Sequence, residues 1–93
     1  MYATVRSYPG NRAIADALVK NEGEVKRLVS EIDGFKAYYF IRTADGAVSV
    51  SVYDSQSSAE ESNRVAAAWL GENLPELSGA SPQVSAGEVV ISS

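Results

Sequence analysis

Histidine and cysteine, which carry much of enzyme chemistry, do not occur in this chain of 93 residues. Without imidazole there is no Ser-His-Asp triad, no Cys-His pair and no His-ligated metal or haem. Without cysteine there is no disulfide, no thiolate nucleophile and no Cys-based zinc site. Any acid/base or orienting role therefore falls to tyrosine, aspartate, glutamate, lysine or bound water.

The tyrosines are the best candidates for such a role, and two arginines accompany them in the predicted strands. A phenol next to an arginine has its ionised form favoured, which would help to hold an acidic phenolic or enolic substrate as its anion. The alternative is that these side chains only form packing and its polar rim at an interface. Strand alternation is expected to put five of them on the sheet face that points away from the helices: Arg6, Tyr8, Tyr38, Arg42 and Tyr53.

The stretch from Gly34 to Asp54 must position most of these groups, and its pattern predicts a β-hairpin. Phe35 to Arg42 is rich in aromatic and β-branched residues, and Ala47 to Tyr53 alternates valine with serine. Between them, Asp45-Gly46 tolerates the positive φ that a tight turn requires.

The chain before the hairpin predicts a strand and one long helix. Tyr2 to Tyr8 alternates as a strand does, with Thr4 and Arg6 on the face opposite Ala3 and Val5. From Arg12 to Ile32 the apolar residues fall within one stripe at helical spacing. Gly23 interrupts this helix on its solvent side, at a cost of about 1 kcal/mol relative to alanine. A tolerated weak point is preferred there to a functional hinge, because the stripe keeps its phase across the glycine.

After the hairpin, the sequence predicts a second helix, a loop and a last strand. Ser57-x-x-Glu60 or Ser58-x-x-Glu61 gives a capping box for the helix, and Pro75 ends it near Asn73. Pro75 to Pro82 is a loop by composition. Gln83 to Ser92 then reads as a strand, with a bulge expected at Ala86-Gly87.

The predicted order β-α-β-β-α-β is the split βαβ arrangement: an α+β fold with a four-stranded antiparallel sheet and both helices on one face. Length predicts a single domain over residues 1–93. If Val48, Val50 and Val52 face the helices, then Ser49, Ser51 and Tyr53 face away. On the second strand either register exposes large aromatic side chains on that uncovered face, and such a surface is expected to be an interface or a ligand groove. The two registers expose either Phe35, Ala37, Tyr39 and Ile41 or Lys36, Tyr38, Phe40 and Arg42.

Composition and charge limit the kinds of partner that are expected to bind this protein. The net charge is −4 and the basic residues are scattered, so no basic face is present for a phosphate backbone and nucleic acid is not expected. No apolar stretch approaches the roughly 20 residues that cross a bilayer, so no membrane partner is expected either. We therefore expect a cytoplasmic protein.

Four parts of the sequence resemble the antibiotic biosynthesis monooxygenase-like domains of the dimeric α/β-barrel superfamily. They are the first strand, the GF-x-x-Y opening of the second strand, the run SVSVYDSQSSAEESNRVAAAWL and the closing AGEVV. The resemblance covers nearly the whole chain. It implies a ferredoxin-like protomer, a homodimer paired into a dimeric α/β barrel, and a cavity between sheet and helices that takes a small aromatic ligand without a cofactor.

The oxygenating members of that family place a polar residue and a tryptophan close to the substrate, and here the second helix offers Asn63 and Trp69. By this resemblance Asn63 would hydrogen-bond a substrate oxygen and Trp69 would form an apolar wall, with Tyr38 as the third catalytic candidate. The alternative is that Trp69 is a core residue and Asn63 a boundary residue. Family members that degrade haem depend on a histidine ligand, which this chain lacks.

Two hypotheses of function follow. The first is a small homodimeric monooxygenase-like protein that binds a small aromatic or polyketide-like molecule, with its cofactor-independent oxidation left open by the sequence. The second is a non-catalytic ligand-binding or interaction module of the same fold, in which tyrosines and arginines hold the dimer. An isomerase or lyase that uses a tyrosine as base is a third.

Overall fold

Residues 1–75 and 82–93 are described by a computed structural model of the chain. Most of the predicted loop from Pro75 to Pro82 lies outside these residues. Four strands and three helices follow one another in this order: β1 (Tyr2–Pro9), α1 (Ala13–Lys20), α2 (Glu22–Ser30), β2 (Phe35–Arg42), β3 (Gly46–Tyr53), α3 (Gln56–Asn73) and β4 (Gln83–Glu88). None of the described helices is long and apolar enough to cross a membrane.

The four strands form one antiparallel sheet in the order β2-β3-β1-β4. This is the ferredoxin-like α+β fold that the sequence predicts. α3 contacts β1 and β3, while α1 and α2 contact β2 and β3 or each other. The core between the sheet and the helices is built around Ile14, Ala15, Leu18, Trp69 and Leu70.

The face of the sheet that the helices cover is the opposite of the expected one. Ser49, Ser51 and Tyr53 are buried beneath the helices, so the three valines of β3 lie on the uncovered face. The prediction failed because it assigned the more apolar set to the core. The small serines suit the inner face physically, because β3 is the strand between the large side chains of Arg6 on β1 and Tyr38 on β2.

A bulge in β2 moves Phe35 out of the first expected set, which is otherwise the one that the uncovered face carries, and the second expected set is wrong. Phe35 pairs with Tyr53, and the next pair is Ala37 with Val52, so one residue is skipped at the start of the strand. Phe35 therefore shares the inner face with Tyr38 and Phe40. The uncovered face takes Ala37, Tyr39 and Ile41.

The predicted single helix is two helices, and they meet at Asn21 and not at Gly23. The side-chain amide of Asn21 donates to the carbonyl oxygen of Ala17 over 2.8 Å, which is the acceptor that the backbone N–H of Asn21 would use in a continuous helix. That N–H instead donates to Leu18 over 3.1 Å. The side chain of Asn21 therefore takes the acceptor that a continuous helix would use, and α1 ends at this position.

The ends of several elements also differ from the prediction. Positive φ occurs among the described residues only at Gly10 and Gly34, so the turn after β2 does not use it. Gly46 is required for another reason, since a Cβ there would overlap the carbonyl oxygen of Tyr8. The N-cap of α3 is Ser55, whose hydroxyl accepts from the backbone N–H of Ser58 over 3.3 Å, and not Ser57 or Ser58. β4 ends at Glu88 and keeps its register through Ala86-Gly87 without a bulge.

Candidate functional site

A groove opens between α2 and the inner face of β2. Its volume is about 510 Å³, within the range of small-molecule sites. The wall is mainly apolar and aromatic, and the two charged residues at it, Glu22 and Lys26, form an exposed salt bridge with each other over 2.7 Å. The remaining lining residues are Leu18, Val19, Val25, Val29, Ser30, Phe35, Tyr38 and Phe40.

A second, much smaller cavity lies deeper and shares five lining residues with the groove: Leu18, Val25, Val29, Tyr38 and Phe40. Its volume is about 30 Å³, roughly that of a single water molecule. Arg6, Tyr8 and Trp69 line it on the far side. Tyr38 and Phe40 therefore line both the groove at the surface and the small cavity, whose wall is mainly apolar apart from Arg6.

Arg6 is buried, with 4% of its surface exposed. Its Nη1 donates to Oδ1 of Asn63 over 2.6 Å, and the same oxygen accepts from the hydroxyl of Thr4 over 3.2 Å. None of the salt bridges found in residues 1–75 and 82–93 involves Arg6. Its Nε is buried and has no acceptor within the described part of the chain.

Two serines of β3 lie in the same polar region. Ser49 pairs with Arg6 and Phe40 on its two neighbouring strands, and Ser51 pairs with Thr4 and Tyr38. Both hydroxyls are buried and, like Nε of Arg6, find no hydrogen-bond partner among the described residues. Buried polar atoms without partners are uncommon in folded proteins, so this cluster needs an explanation.

The protonation of Tyr38 differs from the expectation. Burial raises the pKa of Tyr38 to about 12, and the charge and hydrogen bond of Arg6 oppose this effect without overcoming it. Arg6 does favour the ionised phenol, as the sequence predicts, but burial of Tyr38 has the larger effect on its pKa. At neutral pH its phenol stays protonated and can donate a hydrogen bond into the cavity.

The two candidates of α3 differ in their relation to the small cavity. Trp69 lines it and also belongs to the core, and its Nε1 donates to a carboxylate oxygen of Glu24 over 2.8 Å. Asn63 lines neither cavity; it holds the guanidinium of Arg6 in place. Their catalytic roles remain predictions.

The structure brings some of the predicted substrate-binding residues together and separates others. Tyr8 lines the small cavity with its ring 6.5 Å from that of Phe40. Tyr53 is fully buried and donates to the carbonyl oxygen of Val29 over 2.9 Å, and burial raises its pKa. Arg42 is exposed and forms a salt bridge with Asp16 over 2.6 Å. Neither Tyr53 nor Arg42 lines the groove or the small cavity.

Sequence reasoning placed these residues on the wrong side of the sheet but grouped most of them correctly. Arg6, Tyr8, Tyr38 and Tyr53 do share one face, and that face looks toward the helices. The residues it missed are Thr4, Ser49 and Ser51, together with the apolar groove wall on α2. The alternation of valine with serine along β3 was the available signal, and it was interpreted in the opposite sense.

No protein-family model matches this sequence. No curated protein matches it either. Solved structures do match. NE2512, a protein of unknown function from Nitrosomonas europaea, superposes with a TM-score of 0.68 at 18% identity, covering 99% of this chain and 90% of that one.

Two further structures that match contain bound molecules. A variant of MhuD with two manganese protoporphyrin IX molecules bound per active site gives a TM-score of 0.74 at 15% identity, over 100% of this chain and 98% of that one. The monooxygenase ActVA-Orf6 of Streptomyces coelicolor, in complex with nanaomycin D, gives a TM-score of 0.62 at 22% identity, over 98% of this chain and 91% of that one. At these identities the likeness establishes the fold alone, and the chain has a ferredoxin-like α+β fold similar to that of these three structures.

Proposed function

We propose that this protein binds a small, flat aromatic or polyketide-like molecule in the groove between α2 and β2 and oxidises it with dioxygen without a cofactor. The observation that carries the proposal is the apolar groove of about 510 Å³ that the partly buried Tyr38 lines. The similarity in fold to a monooxygenase in complex with nanaomycin D supports the same class of ligand.

In such a reaction the substrate itself supplies the electrons. One oxygen atom of dioxygen enters the product and the other leaves as water. The chain has three tasks: the groove wall holds the ring system by apolar contact, Tyr38 donates a hydrogen bond to a substrate oxygen, and Trp69 closes the inner end against water. Tyr38 acts as a donor and not as a base, because its pKa of about 12 keeps it protonated at neutral pH.

A porphyrin cofactor does not fit this chain as well as an organic substrate does. The sequence has no histidine to serve as an axial ligand. Tyrosine can ligate iron as its phenolate, but the raised pKa of Tyr38 disfavours that form. The residues of the groove therefore do not fit a haem as the cofactor.

We also propose that the protein is a homodimer that pairs through the uncovered face of the sheet. That face carries the three valines of β3 together with Tyr39 and Ile41, which are 62% and 47% exposed. An apolar surface of this kind is unfavourable in water, and a second copy would cover it. The fold of the dimeric α/β barrels supports this assembly.

A second candidate function is that of a non-catalytic ligand-binding module. The protonated state of Tyr38 favours it, because the groove then offers no ionised phenol as a general base. Glu22, the carboxylate at the groove wall, is engaged by Lys26. Binding without turnover would identify this alternative.

Oxygen consumption with quinol-type compounds tests the proposal, alongside binding measured by calorimetry. We expect uptake of dioxygen that falls at least tenfold in Tyr38→Phe, because the donor to the substrate oxygen is lost. Trp69→Phe should reduce it less if its role is only to exclude water. Tyr2→Phe is the matched control, since Tyr2 lines neither cavity. Unaltered uptake in Tyr38→Phe would contradict the role of Tyr38, and the absence of both binding and uptake would contradict the proposed function.

A further inference from the structure

We propose that the buried guanidinium of Arg6 is a counter-charge site that selects an anionic ligand. The ligand is a flat aromatic or polyketide-like molecule with one oxyanion, such as a phenolate, enolate or carboxylate, whose charged oxygen enters the small cavity. This inference rests on the proposed use of the groove as the binding site and names the charge of the molecule that the groove takes.

The first argument is the unpaired charge. Arginine stays protonated in proteins, and a buried charge is strongly unfavourable unless an opposite charge compensates it. Arg6 is 4% exposed, yet the salt bridges in the described part of the chain all belong to other residues. Asn63 offers it a neutral oxygen at 2.6 Å, which satisfies one N–H and cancels no charge. The folded protein therefore holds a positive charge that a bound anion would neutralise.

The second argument is the set of unused polar groups around that charge. Nε of Arg6 and the hydroxyls of Ser49 and Ser51 are buried without a hydrogen-bond partner among the described residues. Ser49 lies directly opposite Arg6 on the neighbouring strand. Ser51 lies between Thr4 and Tyr38. Neither serine lines the groove or the small cavity, whereas Arg6 lines the small cavity. Arg6 is therefore the unsatisfied polar group at the cavity itself, and the two serine hydroxyls lie beside it on the same face of the sheet.

The third argument is the match between the sizes of the two cavities and the parts of such a ligand. The inner cavity of about 30 Å³ has room for roughly one oxygen atom. The groove of about 510 Å³ has room for a ring system. Because Tyr38 and Phe40 line both, a ring in the groove can direct one oxygen between them toward Arg6. The neutral phenol of Tyr38 would then be a second donor to that oxygen.

The charges at the groove entrance do not provide the same selection. Lys26 and Glu22 lie at the wall, but they pair with each other over 2.7 Å and are largely exposed. A pair of this kind is nearly neutral to an approaching ligand and is screened by salt. The uncompensated positive charge of the site is therefore that of Arg6.

Calorimetry with a matched pair of probes tests the inference. We would use 1-hydroxy-2-naphthoate, which is an anion at pH 7.5, and its methyl ester, which keeps the ring system and removes the carboxylate charge. In the wild-type protein the acid should bind at least tenfold more tightly than the ester. Equal affinities would overturn the counter-charge site and leave the groove as a binding site. If neither probe binds, the proposed function of the groove fails as well.

Asn63→Asp is the sharpest variant, because it keeps the size and the acceptor oxygen while adding a negative charge 2.6 Å from Nη1 of Arg6. Because the aspartate would neutralise the guanidinium, the affinity of the protein for the acid should fall at least tenfold, and its affinity for the ester should stay unchanged. The melting temperature of the ligand-free protein should rise. Retained affinity for the acid in this variant would overturn the inference.

Arg6→Met provides an independent variant, and inorganic anions provide a further arm. Arg6→Met should abolish the preference for the acid without lowering the melting temperature, because it removes an uncompensated buried charge. A marked loss of melting temperature together with an unchanged preference would show a purely structural arginine and overturn the inference. A last measurement exchanges gluconate for chloride at constant ionic strength. If chloride displaces the acid and raises the melting temperature as much as the acid does, the site binds an inorganic anion, and the proposal of an organic anion as the ligand is contradicted.

Discussion

At the scale of single residues, burial outweighs charge in setting the state of the key phenol. Tyr38 stands near the guanidinium of Arg6, which would by itself favour a phenolate. The loss of water around the phenol is the larger effect, and the pKa of Tyr38 rises to about 12. The groove therefore presents a neutral donor at any pH near neutrality.

This pKa predicts a loss of stability at alkaline pH. The unfolded phenol ionises near 10.0 and the folded one near 12, so between these values the unfolded state releases a proton that the folded state keeps. The stabilisation is complete below pH 10 and disappears as pH rises toward 12. Each unit of pKa is worth about 1.4 kcal/mol, so the difference between 10.0 and about 12 should account for roughly 3 kcal/mol of that loss.

Urea unfolding at pH 8 and pH 11 measures this effect. The drop in unfolding free energy between the two pH values should be smaller in Tyr38→Phe than in the wild-type protein. Tyr39→Phe, which changes an exposed ring on the other face of the sheet, is the matched control. An equal drop in Tyr38→Phe and wild type would show that burial does not hold this phenol protonated.

The sequence predicts which types of residue could form the site, but it does not predict which residues surround each of them. The absence of histidine and cysteine directs attention to tyrosine, arginine and asparagine, and Arg6, Tyr38 and Trp69 do line the small cavity. The partners of Arg6 could not be found in the same way. Asn63 is 57 positions away in the chain, and only the packing of α3 on β1 brings the two together.

At the scale of elements, the strands were easier to predict than the faces they present. The hairpin, the first strand and the end of the second helix at Asn73 follow from local patterns. The facing of β3 does not, because its alternation of valine and serine is equally regular in both orientations. Tertiary context decides it: the inner face must accommodate large side chains from both neighbouring strands, and serine leaves room for them.

The helix pair α1 and α2 gives a prediction at this scale. Gly23 lies inside α2, is exposed, and a Cβ there would meet nothing within 4 Å. Since the break lies at Asn21, Gly23 is not needed for it. Gly23→Ala should therefore raise the free energy of unfolding by about 1 kcal/mol, the difference in helix propensity.

Chemical denaturation checks this value, with Gly71→Ala in α3 as the matched exposed glycine, which a Cβ also leaves without contacts. Both variants should be stabilised and should keep the wild-type affinity for ligand. Loss of ligand affinity in Gly23→Ala alone would show that the glycine is a hinge of the groove wall after all.

At the scale of the whole molecule, the two faces of the sheet differ in the side chains that they carry. The inner face holds the polar groups and the cavities, and the outer face is apolar. This is the reverse of a simple globular protein, in which the apolar set of a strand faces its own core. This arrangement is energetically favourable only if the apolar outer face is also removed from water, and a second copy of the chain can bury it.

The last prediction follows from that arrangement. Ile41→Glu places a carboxylate on the apolar outer face, where in a symmetric dimer it would be buried beside apolar side chains from the other copy. Sedimentation velocity at micromolar concentration should show a dimer for the wild-type protein and a protomer for Ile41→Glu, with the far-ultraviolet circular dichroism unchanged. Val84→Glu is the control, because Val84 is also about half exposed but pairs with Arg6 and so lies on the inner side of the sheet. A wild-type protein that sediments as a protomer would show that the outer face is exposed to water, and this would contradict the homodimer. The proposals for the groove and for Arg6 do not depend on this result.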